Sequence, residues 1–386
     1  MQKDFHYYAT YCAARLAGYS HQEGMEICTA AQFVDLCSIT FLESVKGPKS
    51  AATTQLQLEL MEARTDIIGL QDITRIWASF HFLPYDLHAD VKRAGKQYRN
   101  KYRMICKPNG ELVKSTVELA KGKGTPAVGI AMHVVADTWA HSNFAGTPSL
   151  VINNTEKYNF VELLEDGTER TIRFRHSTTT PDDLDNSIYT NSIFQWSENS
   201  IMNLGHGRAG HLPDYSFIRY RYLPAWGDYE AIVKDNPSEY YSAFCQLVCA
   251  MKYLRGNRDS FALNTYDTVS VEPWADEIKR ILRKRQLDSC EDWRRLGEKI
   301  AGHEIDDFDL DKYREEYVSA DKDNKDSTFL GQFFIAAMAQ KSMVTNAVFK
   351  SGNLLAGFSV DFAEKGFRGI KDYRKLVNQA KGGNDK

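Results

Sequence analysis

The segment Thr125–Ala140, TPAVGIAMHVVADTWA, constrains this chain more than any other stretch. It is apolar on nearly every side, and a helix with no polar face has to be buried at the centre of a protein. Yet it carries His133 and Asp137, and His141 follows it, at positions i, i+4 and i+8. At about 100° per residue these fall within roughly 80° of one another, on one face. A buried carboxylate flanked by two imidazoles is unfavourable unless its charge is compensated. A divalent cation is the simplest compensator, because it takes all three as ligands. The alternative is a polar stripe that only hydrogen-bonds to its neighbours.

The rest of the chain can supply the surroundings of such a helix. Of 386 residues, 43% are hydrophobic and 26% charged, enough to bury a core and far from a disordered composition. Lys+Arg 48 against Asp+Glu 51 gives a formal charge of −3, which excludes a global basic footprint, so no stable DNA binding is expected. The most apolar stretch, Thr328–Ala339, is too short for a transmembrane segment and carries Gln332. The first twenty residues lack a secretory pattern, and seven scattered cysteines form no C-x-x-C pair, so a reducing cytoplasm with buried free thiols is expected.

Patterning predicts a mainly α chain. Helices are expected over 5–17 up to Gly18, then from a Ser20/Glu23 capping box through MEICTAAQFVDLCSITF. More are expected near Trp77–Phe80, over 238–253, 273–285 and 289–300 with Ser289 or Asp292 as caps, and over about 328–350. The period changes in 158–174, where two alternating runs flank Asp166-Gly167, a β-hairpin signal. Residues 177–186 are expected as loop. The organisation that follows is a helical metal-binding core over 1–319, with a β-hairpin insertion at about 151–186. A C-terminal helical extension over 320–386 packs on it, with a frayed tail after Lys381.

Several common catalytic motifs are absent: H-E-x-x-H, a His-Asp dipeptide, G-x-S-x-G and a Walker A loop. A second histidine cluster is present in GHGRAGHLPD, residues 205–214. Its glycines let backbone approach closely while His206 and His211 converge, and Asp214 is a third ligand or the carboxylate that orients a ligating ring. His6 in DFHYY, Asp35 on the second helix and His81 in FHFLP complete a set of nine candidate ligands. Each of those three alone reads more readily as a hydrogen-bonded core residue than as a ligand. His21, His88, His176 and His303 lie in polar or helix-end contexts and are expected to stand apart. One structural zinc needs four ligands; nine argue for a multinuclear centre.

HVVADTWAHSNF, from His133 to Phe144, resembles the H-x-x-x-D-x-x-A-H-S-N signature of the zinc-dependent phospholipase C superfamily. It is most similar to the branch with heterokaryon-incompatibility-type proteins. DFHYY, AAQFVD, FHFLP and GHGRAGHLPD resemble blocks of an uncharacterised bacterial family within that superfamily. The resemblance covers roughly residues 1–220 in scattered blocks. It implies an all-α fold, two or three zinc ions in a cleft, and cleavage of phosphodiesters in phospholipids or single-stranded nucleic acids. It implies His133 and the bridging Asp137 on the central helix, His141 in the neighbouring set, and His81 from the preceding helix. Asp35 matches the early Asp near the attacking water, the expected catalytic residue. His6 is similar to an N-terminal histidine ligand, and His211 and Asp214 to the later His–carboxylate pair.

The chain departs from that pattern in places. Members of the superfamily use a freed N-terminal amine as a ligand, and the start at Met1 with no cleavable leader leaves that ligand out. Two strong zinc ions and a weaker third are therefore expected. Ala145 and Gly146 stand where an acidic residue often follows. Two Zn²⁺ against Asp35, Asp137 and Asp214 leave about +1, and three about +3, either of which draws a phosphoester substrate. Arg208 is a candidate to neutralise a phosphate oxygen. Tyr7, Tyr8, Phe80, Phe82, Trp139 and Phe144 are candidates to pack a lipid chain or stack a base. The functional expectation is a zinc-dependent, phospholipase C-like phosphodiester hydrolase. The alternatives are a nuclease or phosphomonoesterase on the same centre, or a metal-stabilised interaction protein without catalysis.

Overall fold

Local chemistry sets the ends of the central helix. Gly124 takes a positive φ of 84° and Pro126 occupies the first turn, so the helix starts at Thr125 and runs to Ala140. Of its residues only Thr125 and Trp139 escape full burial. A computed structural model describes residues 1–91, 95–156, 159–176, 179–189, 204–227 and 230–357.

In chain order, a π-helical turn (Asp4–Ala9) runs into α1 (Thr10–Leu16), followed by α2 (His21–Phe33), α3 (Ile39–Ser44) and α4 (Gln57–Ala63). Then come α5 (Ile67–Phe80), α6 (Lys96–Tyr102), α7 (Glu111–Ala120), the central α8 (Thr125–Ala140) and the one-turn α9 (Leu150–Asn153). The strands are β1 (Val161–Leu163), β2 (Glu169–Thr171), β3 (Phe174–Arg175), β4 (Ile188–Tyr189), β5 (Arg219–Tyr222) and β6 (Ile232–Asp235). The chain closes with α10 (Asn236–Arg255), α11 (Thr268–Val271), α12 (Ala275–Arg283), α13 (Cys290–Ala301), α14 (Asp311–Ser319) and α15 (Phe329–Lys350). The fold is mainly α with a small β insertion.

Helices α2, α7, α10 and α15 surround α8. The closest crossing is with α2: a Cβ on Gly129 would lie 2.4 Å from the Ile27 carbonyl oxygen and 2.5 Å from Ala30 Cβ. Only a glycine lets the two backbones meet at that depth. The Ser20/Glu23 capping box forms as the sequence predicts, and α15 starts after Thr328, whose side chain accepts from Gly331 N.

The hairpin also forms where expected, with β1 antiparallel to β2 and Gly167 at φ +83° in the turn. The insertion is larger than 151–186, because β5 and β6 extend it into an antiparallel sheet of order β2-β1-β5-β6. Its inner face, with Phe160, Tyr220 and Tyr222, stacks on Phe144 just after the central helix. Leu212 and Ala209 of the glycine-rich loop join this apolar cluster. The amide of Asn236, at the start of α10, donates to Leu212 O and Tyr215 O (both 2.8 Å), and Tyr240 OH donates to Pro213 O. The sheet and α10 thus fix the loop bearing His206 and Asp214.

Two expectations about helix ends are corrected. The second helix stops at Phe33, and Asp35 sits in the turn before α3, where Ser38 caps the new helix by accepting from Phe41 N. Ser289 does not cap α13 through its side chain; its hydroxyl donates to the Asp4 carboxylate instead. Among the described residues no helix is long and apolar enough to cross a membrane. The seven cysteines are free and six are buried. Residues 358–386, with the expected frayed tail, lie outside the described residues.

Candidate metal centre

Four imidazoles converge at the end of α8, and each spends one ring nitrogen on a backbone carbonyl. His133 Nδ1 lies 2.9 Å from Ala31 O on α2, and His141 Nδ1 lies 2.7 Å from His81 O. His81 Nε2 lies 3.0 Å from Thr53 O, and His206 Nδ1 lies 2.8 Å from Gly210 O. A carbonyl oxygen only accepts, so each of these nitrogens carries the proton and donates it. The opposite nitrogen of each ring turns toward the carboxylates of the cluster. This is the arrangement by which proteins fix the tautomer of ligating histidines.

Those nitrogens face carboxylates, and His141 Nε2 also faces the Met1 amine. His81 Nδ1 and His133 Nε2 are 3.2 Å apart, and both lie 3.1 Å from Asp137 Oδ2. His141 Nε2 faces Asp214 Oδ1 at 3.3 Å, and His206 Nε2 faces Asp214 Oδ2 at 3.5 Å. His6, on the π-helical turn, stacks on His133 with ring centroids 3.8 Å apart. Its Nε2 is 3.1 Å from Asp137 Oδ1 without hydrogen-bonding geometry, and its Nδ1 has no partner among the described residues. π-turns of this kind re-aim single side chains and recur at functional sites.

Three groups of ligand atoms, each within 4.8 Å of one another, emerge: His6, His133 and Asp137; Asp35, His81 and His133; His141, His206 and Asp214. The first two share His133, while Asp137 reaches His6, His81, His133 and His141. Asp35 Oδ1 stands 3.8 Å from both His81 and His133, and at 30% its side chain is the most exposed of the eight. Asp35 is thus the member of the set nearest to solvent.

Burial lowers His6, His133 and His206 to about 4, so all three are neutral at pH 7. Burial would raise Asp137 and Asp214, yet the surrounding imidazoles and the N-terminal amine outweigh it and hold both carboxyls well below their usual range. Asp35 goes the other way, raised by burial more than its histidine neighbours lower it. Neutral His6, His133 and His206 packed against ionised Asp137 and Asp214 fit a set of divalent cations.

The structure overturns one expectation: the N-terminal amine is part of the cluster. Met1 N is buried 2.7 Å from Asp137 Oδ1, and 3.4 Å from both Asp214 Oδ1 and His141 Nε2. Burial lowers its pKa, but Asp137, Asp214 and Asp35 prevail and raise it to about 11.

Eight of the nine predicted residues come together, and His141 does so from the cap of α8 rather than from within it. His211 stands outside the three groups, 43% exposed, with Nδ1 2.8 Å from Asp182 Oδ2. Asp182 also accepts from Tyr215 OH and Tyr189 N. It lies in the stretch read as plain loop, where no spacing marks it. Of the predicted aromatics, Phe82 stacks on His141 at 4.6 Å and Phe144 lies edge-on to His206. Phe80 is core, Tyr7 and Tyr8 donate to Asp306 O and Asp307, and Trp139 donates to Gln246. Arg208 is half-buried, and burial lowers its pKa. His21 pairs with Tyr11 far from the centre, and His88, His176 and His303 are exposed.

The sequence pattern of a family of unknown function, DUF6765, matches residues 1–348. No curated protein and no solved structure matches the chain.

Proposed function

The chain belongs to DUF6765, and from the geometry of its site we propose that it is a metal-dependent phosphodiester hydrolase with a multinuclear zinc centre. One observation carries this reading. Four imidazoles, each locked by a backbone carbonyl, turn their other nitrogens toward carboxylates that they share. A lone folding support would use four ligands and leave no carboxylate serving several groups.

His6, His133 and Asp137 would hold one ion, Asp35 and His81 with His133 a second, and His141, His206 and Asp214 a third beside the Met1 amine. Zinc bound there would supply a water of lowered pKa and charge stabilisation for the phosphoryl oxygens. Asp35, the most exposed of the set and with a raised pKa, would orient that water and take its proton. Its exposure favours an accessible centre over a closed structural one. The phospholipase C-like choice of substrate, lipid or nucleotide, follows the sequence resemblance.

The test is hydrolysis of a soluble model phosphodiester. A chelator should abolish activity and Zn²⁺ restore it. Asp35→Asn, compared with the native protein at full metal loading, should lower the rate by roughly 10²–10⁴-fold. Full activity in Asp35→Asn would remove Asp35 from the chemistry. Fully metallated protein that hydrolyses neither lipid, nucleotide nor model phosphodiester would leave a metal-stabilised, non-catalytic protein as the better account.

A further inference from the structure

Helices α7, α8 and α15 enclose a cavity of about 300 Å³ where they meet. Alanines make the space: Ala120 of α7, Ala127 and Ala131 of α8, and Ala336 and Ala339 of α15 line it. Longer side chains at these positions would fill it, as they do elsewhere in a close-packed interior. Its mouth lies at Lys123 and Ile335, both exposed. Its inner end is formed by Thr116 and Gln340, 1% and 2% exposed. No lining residue belongs to the candidate ligand set, so the cavity is separate from the metal centre.

The walls are apolar and the inner end is not. The amide nitrogen of Gln340 donates to Ser79 O at 3.1 Å and to Thr116 Oγ1 at 2.9 Å, which engages both of its hydrogens. Its carbonyl oxygen, Oε1, meets no donor among the described residues. Thr116 Oγ1 accepts from the amide, and no acceptor among the described residues takes its own proton. A buried acceptor and a buried donor left unmatched side by side call for a partner that supplies both. Joined through the amide nitrogen, the two oxygens are at most about 5 Å apart, and two hydrogen bonds of about 2.8 Å span that from one atom. The complementary group is a hydroxyl, which donates to the Gln340 carbonyl and accepts from Thr116. A carboxylate only accepts and an ammonium only donates, so neither satisfies both. Size sets the remainder: a dry cavity of about 150 Å³ takes one benzene ring, so this one takes roughly two fused rings.

We propose that the α7–α8–α15 cavity binds a small neutral alcohol or phenol of about ten carbon atoms, its hydroxyl held by Gln340 and Thr116 and its hydrocarbon body among the alanines. The site goes beyond the hydrolase reading and does not depend on it.

The probes are 2-naphthol, followed by its fluorescence, and naphthalene, which has the same rings without the hydroxyl and is read by displacement of 2-naphthol. On the zinc-loaded full chain, 2-naphthol should bind saturably, one per chain, and about tenfold or more tighter than naphthalene. Thr116→Val removes the hydroxyl at nearly constant volume. It should weaken 2-naphthol by about threefold to tenfold and leave naphthalene unchanged. Ala339→Phe fills the cavity and should abolish binding of both; if its melting profile shows that it does not fold, Ala336→Leu serves in its place. Absence of saturable 2-naphthol binding overturns the proposal. Equal affinity for the two probes does so too, because water then serves Gln340 and Thr116 as well as the hydroxyl does. Binding unchanged in folded Ala339→Phe also overturns it, since 2-naphthol then sits elsewhere, the metal centre included.

Discussion

Asp137 is the residue on which the centre turns, since three imidazoles and the Met1 amine lie within 3.1 Å of its two oxygens. Asp137→Ala should be the most damaging single change, because it leaves the amine buried without its closest counter-charge. Removing one partner of a buried pair costs about 3–5 kcal/mol, and the same change should reduce bound zinc by more than one ion. Denaturant unfolding and elemental analysis of one preparation check both effects. The pH dependence has a defined sign. His6, His133 and His206 sit at about 4 in the folded chain against 6.5 when free, so the unfolded chain binds more protons between those values. Stability of the metal-free protein and its zinc affinity should therefore both fall as pH drops from about 6.5 to about 4. The Met1 amine, raised from 8.0 to about 11, acts at the other end: its contribution is present below pH 8 and is lost as pH rises toward 11. A melting profile that is flat across both windows would contradict these assignments.

At the scale of elements, the contact of α2 with α8 places the Ala31 carbonyl under His133. Gly129 makes that contact possible, so Gly129→Val should destabilise by about 1–3 kcal/mol or more and weaken zinc binding from a distance. Thermal unfolding and zinc titration of the variant measure both. Elements with an unbroken internal pattern were legible in the sequence. The all-apolar α8, the Asp166-Gly167 turn and the Thr328-capped α15 stand where their residues place them. The break after Phe33 was not, because MEICTAAQFVDLCSITF contains no glycine or proline to announce it. Distant bonds make that break, above all those from Thr53 to Val34 O and Cys37 O. For the same reason the sheet read as a hairpin alone. Its partners β5 and β6 arrive after a long excursion, and nothing local to β1 announces them.

At the scale of the molecule, one central helix gathers candidate ligands from the first residue to residue 214. Histidines and carboxylates in apolar runs were visible as candidates, because each is costly to bury alone. Two groups were not. A terminal amine has no side-chain signature, and Asp182 reaches His211 across 29 residues of chain. The amine gives a whole-chain test: residues added ahead of Met1 would turn a buried ammonium into an amide. An extended protein should bind zinc more weakly than the chain studied, measured by competition with a chromophoric chelator, and equal affinities would remove the amine from the site. The central claim is tested most directly by the zinc-to-protein ratio of folded protein, determined by elemental analysis after zinc loading and dialysis. The account requires at least two ions per chain, falling by more than one in Asp137→Ala. A ratio of one or less in folded, zinc-loaded protein would contradict it.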